Sequence, residues 1–206
     1  MAFTVYTQTY PPSAFDKREI LRYAGVKAGQ TATDETLTLV DDCIRELEDK
    51  LCYKVCFCEL DVCRREGEID LGFARVSSVS LEKNLSGCES VIVFAATVGI
   101  ELDRLIARYS RISPAKAHML DAIGAERIES LCDSFCADVK EQKRRLGMDI
   151  RPRFSAGYGD LPLELQRNIF ATLDCHKKIG VSLSDSMLMS PSKSVTAIIG
   201  VASKEK

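Results

Sequence analysis

The run from Pro114 to about Leu146 limits most strongly what this chain can fold into. Proline is preset for the first helical position, where its missing N–H costs no helical hydrogen bond. From there Leu120, Gly124, Ile128, Leu131, Phe135 and Val139 recur in one stripe along a helix. At about 1.5 Å per residue that helix is roughly 50 Å long, enough to cross a whole domain. Lys140, Lys143, Arg144 and Arg145 gather at its end, where cations complement the helix dipole.

The other elements are shorter. Residues 1–15, with Pro11-Pro12, read as an extended or irregular arm. Asp16 to Glu19 resembles a capping box and opens a helix to about Ala24, stopped by Gly25. Leu37, Val40, Ile44, Leu47 and Leu51 mark a second helix from Thr33. Tyr53–Cys63 and Glu68–Val76 are β-rich runs joined by Arg64-Arg65-Glu66-Gly67 as a hairpin. Ser90–Thr97 is a nearly continuous apolar strand that suits the centre of a sheet. Helices are expected over Gly99–Tyr109 and Pro162–Leu173, the latter continued or followed by another ending at Gly180, with last strands at Met187–Met189 and Val195–Val201. Strands and helices do not alternate strictly, so the expectation is α+β with a mixed or antiparallel sheet. The chain reads as one domain over 1–206: an arm and helices to residue 50, then a sheet-and-helix core over 51–206.

Composition excludes several functions. A net charge of −2 makes no electrostatic case for nucleic acid. No stretch reaches the length of a membrane span, and Met1-Ala2-Phe3-Thr4 lacks a basic signal-peptide start, so a cytoplasmic protein is expected. The nine cysteines are then expected to be reduced. Cys52, Cys56, Cys58 and Cys63 match neither zinc nor ferredoxin spacing. On a strand Cys56 and Cys58 share a face with Leu60 while Cys63 points away; small buried thiols explain them, and Cys132 and Cys136 likewise. His118 and His176 read as surface or helix-packing residues. No nucleophilic triad, H-E-x-x-H, Walker or Rossmann sequence is present.

One loop is left with binding character: Arg151-Pro152-Arg153-Phe154-Ser155-Ala156-Gly157-Tyr158-Gly159-Asp160. Arginine presents a planar fork of donors that fits a carboxylate. Gly157 and Gly159 permit close backbone approach, and Tyr158 offers a flat face with a polar tip. On residue chemistry alone the loop can equally be a tight connector whose Arg151 or Arg153 pairs with a carboxylate, for example on the long helix.

Arg153-x-x-x-Gly157-Tyr158, a following helix, a Gly-terminated turn and Pro191-Ser192-Lys193-Ser194-Val195 together resemble the AdoMet-binding activation (reactivation) domain of cobalamin-dependent methionine synthase. Order and spacing match over roughly residues 114 to 200, and this chain would be a compact, free-standing version. The resemblance implies a bent antiparallel sheet flanked by helices, with S-adenosyl-L-methionine (AdoMet) as ligand. It implies that Arg153 clamps the AdoMet carboxylate, that main chain at Ser155 and Gly157 faces the adenosine, and that Tyr158 supports or covers it. An acid on the long helix belongs to the family pattern; Leu120-Asp121-Ala122-Ile123-Gly124-Ala125-Glu126 is similar, one register placing Asp121 or Ala122 at the acid, with Glu126 one turn on as the next candidate. The family's early Asp and its Tyr beyond the last strand have no counterpart identified here.

Asp174-Cys175-His176-Lys177-Lys178-Ile179-Gly180 does not fit the corrin-ligating Asp-x-His-x-x-Gly, because its Gly comes one residue late. Cobalamin would therefore be held only by a partner: cobalamin-binding methionine synthase modules or another corrinoid protein. The implied function is reactivation by reductive methylation, with one electron from a flavodoxin- or ferredoxin-like donor and the methyl group from AdoMet. Two other readings stand beside it. The chain could be a non-catalytic scaffold of a split methionine synthase, or a homocysteine methyltransferase, which normally needs a thiolate-bound zinc with no convincing site here.

Overall fold

The computed structural model describes residues 3–27, 29–65 and 67–203. The long helix is there, as α5 (Pro114–Arg145). It lies against one face of a five-stranded sheet built from β1 (Tyr6–Thr9), β2 (Lys54–Asp61), β6 (Ser90–Thr97), β7 (Met148–Ile150) and β10 (Ser194–Ser203). The strand order is β1-β2-β6-β10-β7, every pairing is antiparallel, and the sheet curls as a half-barrel.

Alternation of side chains divides β6 between two cores. Ile92, Phe94 and Ala96 point to one face with Val55, Ala197, Ile199 and Val201. There they meet α1 (Lys17–Tyr23), α2 (Asp34–Leu47), α4 (Glu101–Tyr109) and α5. Val91, Val93 and Ala95 point to the other face with Cys56, Cys58 and Ile198, under α3 (Val79–Asn84), α6 (Leu165–Leu173) and α7 (Cys175–Ile179). Burial on both faces is why β6 reads as a continuous apolar run.

Gly124 lets α5 come close to its neighbours. A Cβ there would lie 2.2 Å from Leu102 of α4 and 2.9 Å from the Lys193 side chain. Helix entries follow local chemistry. Asp16 caps α1 by accepting from the amides of Arg18 and Glu19, and Thr33 caps α2 by accepting from Thr36.

Several boundaries depart from the sequence expectation. The first β-run ends at Asp61. Cys63 opens β3 (Cys63–Arg65), which pairs with β4 (Glu68–Asp70), itself paired with β5 (Arg75–Val76), in a separate small sheet. Glu66 of the expected turn lies outside the described residues, as does Met1-Ala2 of the arm. Helix α2 stops at Leu47, so Leu51 is not on it, and α4 begins at Glu101. The helix expected from Pro162 begins at Leu165 and ends at Leu173; of the two expected continuations the second is found, a separate α7 set off by Asp174 at a left-handed φ of 49° and capped by Gly180. The strand expected at Met187–Met189 is β9 (Met189–Ser190), paired with β8 (Ser182–Leu183). Helix α3 and strand β7 were not anticipated at all. Both are short, and both fix the loop that follows β7.

The cysteines are free; Cys56, Cys58 and Cys132 are buried as expected, whereas Cys52 and Cys63 are exposed and Cys136 is only partly buried, so burial accounts for part of the set. Among the described residues no group of side chains could hold a metal ion, and no helix is long and apolar enough to cross a membrane.

Candidate functional site

The Arg151–Asp160 loop is tied down at three places. Arg151 donates its amide to Gly200 O, and Phe154 exchanges two hydrogen bonds of 2.8 Å with Ile198, both on β10. Within the loop Gly157, at φ 90°, donates to Leu161 O at 2.9 Å. At the far end Asp160 accepts from Ser78 Oγ at 2.6 Å and from the amides of Val79 and Ser80 at 2.7 and 3.1 Å. These bonds cap α3 and hold the Asp160 carboxyl well below the usual carboxylate range, the Ser78 hydroxyl contributing most. Arg151 turns away from the long helix and donates to Ser86 O at 3.0 Å.

Arg153 points the other way, onto α5. Its Nη2 lies 2.5 Å from Glu129 and 3.2 Å from Asp133, and its Nη1 is buried with no hydrogen-bond partner among the described residues. The tight-connector arrangement is therefore realised at Arg153. Cys132, one residue before Asp133, is pushed up by burial to about 12, so it stays a neutral thiol beside the guanidinium. Tyr158 is 67% exposed, and its ring meets Phe154 edge-on with centroids 6.4 Å apart. Main chain at Ser155 and Gly157 follows the same turn, Ser155 O accepting from Tyr158 N at 3.2 Å.

The two acids proposed on α5 sit in different surroundings. Asp121 pairs with Lys193 at 2.8 Å, and stands about 12 Å along the helix from Glu129. Glu126 is buried and chelates Arg127, and its Oε1 also accepts from the Asp16 amide at 3.4 Å. It lines a groove of about 460 Å³ between α1 and α5, together with Asp16, Glu19, Tyr23, Glu129, Ser130, Asp133 and Ser134. On the other side of Arg153 a cleft of about 270 Å³ is lined by Cys136, Lys140, Ile150, Arg151 and Pro152.

The structure thus brings Arg153, Ser155, Gly157 and Tyr158 together on one loop, puts Glu126 in the adjoining groove, and gives Asp121 to Lys193. Glu129 and Asp133 were not singled out in the sequence. Their signal was modest: two acids four residues apart share a helix face, which usually means no more than solvation. The two histidines take no part; His118 Nε2 lies 3.1 Å from Ala24 O and His176 is exposed on α7.

No protein-family model matches the sequence, and no curated protein matches it. Among solved structures the chain is similar to the crystal structure of the MetH reactivation domain bound to AdoHcy. The TM-score is 0.71 at 16% sequence identity, covering 100% of this chain and 80% of that one. At that identity the likeness establishes the fold: α+β, with a curled antiparallel sheet flanked by helices.

Proposed function

We propose that this chain binds AdoMet along the Arg153–Tyr158 loop and serves the reactivation of a cobalamin-dependent methyltransferase, methionine synthase foremost. The observation that carries the reading is the whole-chain likeness to a reactivation domain bound to AdoHcy, combined with a rigid Arg/Gly/Tyr loop in the same chain. Arg153 takes the ligand's carboxylate, and main chain at Ser155 and Gly157 faces the adenosine. Tyr158, exposed and braced by Phe154, covers it. Each of the two acids is already paired with a cation, Glu126 with Arg127 and Asp121 with Lys193; Glu126 is the one that lines the groove and is assigned to the sulfonium side on that ground alone.

The chain's contribution is positioning. It holds the sulfonium methyl toward the corrin of a partner protein, and a flavodoxin- or ferredoxin-like protein supplies the electron. The corrin, when present, supplies the methyl acceptor. No residue of this chain acts as nucleophile in that scheme, and its setting is the cytoplasm.

Titration calorimetry with AdoHcy tests this directly. A saturable heat that Arg153→Ala weakens about 10- to 100-fold, the loss of one charge-assisted carboxylate pair, supports the reading. An unchanged dissociation constant in that variant overturns the assigned role. The second reading, an assembly module that binds no AdoMet, is favoured by one observation: Arg153 is already held by Glu129 and Asp133. No heat with AdoMet or AdoHcy, alone or with the corrinoid partner, decides for it.

A further inference from the structure

Glu129 and Asp133 are one turn apart on α5 and face two ways. On one side they line the groove beside α1; on the other they both hold Nη2 of Arg153. Their side chains are 42% and 75% exposed, whereas that of Arg153 is 25% exposed. A ligand entering the groove therefore meets two anions before it meets the cation behind them. A carboxylate without a companion charge is repelled at that screen. An ammonium without a carboxylate is attracted, but offers Arg153 nothing in exchange for its acids.

A zwitterion satisfies both requirements. We infer that Glu129 and Asp133 set the specificity of the Arg153 clamp, admitting an α-amino-acid end by exchange of partners. The ligand's carboxylate replaces Glu129 on Nη2, the unpartnered Nη1 completes the guanidinium fork, and the released Glu129 receives the ligand's ammonium. Since the zwitterion adds no net charge, the exchange leaves no ion in the groove without a counter-ion. The inference rests on the AdoMet reading above and adds what selects the amino-acid end.

Calorimetry on the whole chain separates the two. The ligands are AdoHcy, its deaminated analogue, which keeps the carboxylate, and 5′-methylthioadenosine, which lacks the amino-acid end. The proteins are wild type, Glu129→Gln and, as an independent variant of the more exposed acid, Asp133→Asn. Wild type should prefer AdoHcy to the deaminated analogue by about tenfold or more, the worth of one hydrogen-bonded charge. In Glu129→Gln the deaminated analogue should bind several-fold more tightly, the preference should fall to about threefold or less, and methylthioadenosine should be unmoved. Asp133→Asn should shift the preference in the same direction. If neither variant gains affinity for the deaminated analogue, or if all three ligands weaken together, the exchange is wrong and the AdoMet reading survives. If no adenosyl ligand binds wild type or either variant, both are wrong.

Discussion

Arg127, fully buried, is held by the carboxylate of its chain neighbour Glu126 and reaches from α5 to the N-terminal arm. It donates to Ser13 O at 2.7 Å and Ala14 O at 2.8 Å, and stacks on Phe15 with its guanidinium 4.1 Å from the ring centroid. Arg127→Met should cost roughly 3–5 kcal/mol, because the carboxylate left behind is buried without its counter-charge. Urea unfolding measures the loss. Adding Glu126→Gln to the variant should recover part of it, and a double variant less stable than the single would contradict the pairing.

Asp160 links the Arg151–Asp160 loop to α3, and its titration gives that link a pH signature. The carboxyl sits below its unfolded value, so its contribution is complete above about pH 4 and fades as acid is added toward the folded value. Asp160→Asn should lower the melting temperature at neutral pH. The gap from wild type should narrow below about pH 4. A gap that stays constant into acid would remove the carboxylate from the account.

Gly124 is a packing position on the stripe of α5. Gly124→Val should cost about 3 kcal/mol, the upper end for overpacking, since the new side chain would collide with buried Leu102 and with the Lys193 stem. Denaturant unfolding reads this, and an unchanged midpoint would mean that α4 yields freely.

The two candidate acids can be told apart. Asp121→Asn should leave AdoMet affinity within about twofold of wild type, because the half-exposed carboxylate it removes serves a pair with Lys193 and not the ligand's sulfonium. A tenfold loss by calorimetry would return Asp121 to the site.

Tyr158→Ala should leave stability within about 0.5 kcal/mol, as expected of an exposed side chain. AdoHcy affinity should fall several-fold if the ring covers the adenosine, and an unchanged affinity would relieve Tyr158 of that role.

Much of the frame was legible because it depends on long periodic patterns. Pro114 and the Leu120–Val139 stripe gave α5, and the apolar run gave β6. What escaped was set by tertiary contact. Helix α3 exists with Asp160, 82 residues away from Ser78, as its cap partner, and three-residue β7 is held by pairing to β10. Likewise the motif located Arg153, while nothing local in the sequence could say that its guanidinium would face Glu129. That depends on where α5 runs past the loop.

The Phe154–Ile198 bridge makes the Arg151–Asp160 loop a passenger of the sheet. Ile198 is also paired with Val93, so the same residue that seats the loop fixes the register of β10 against the central strand β6. Sliding β10 by one residue would send each of its buried side chains into the opposite core and carry the loop with them. Side chains on this loop can therefore vary at little cost, but the loop cannot move without rebuilding the core.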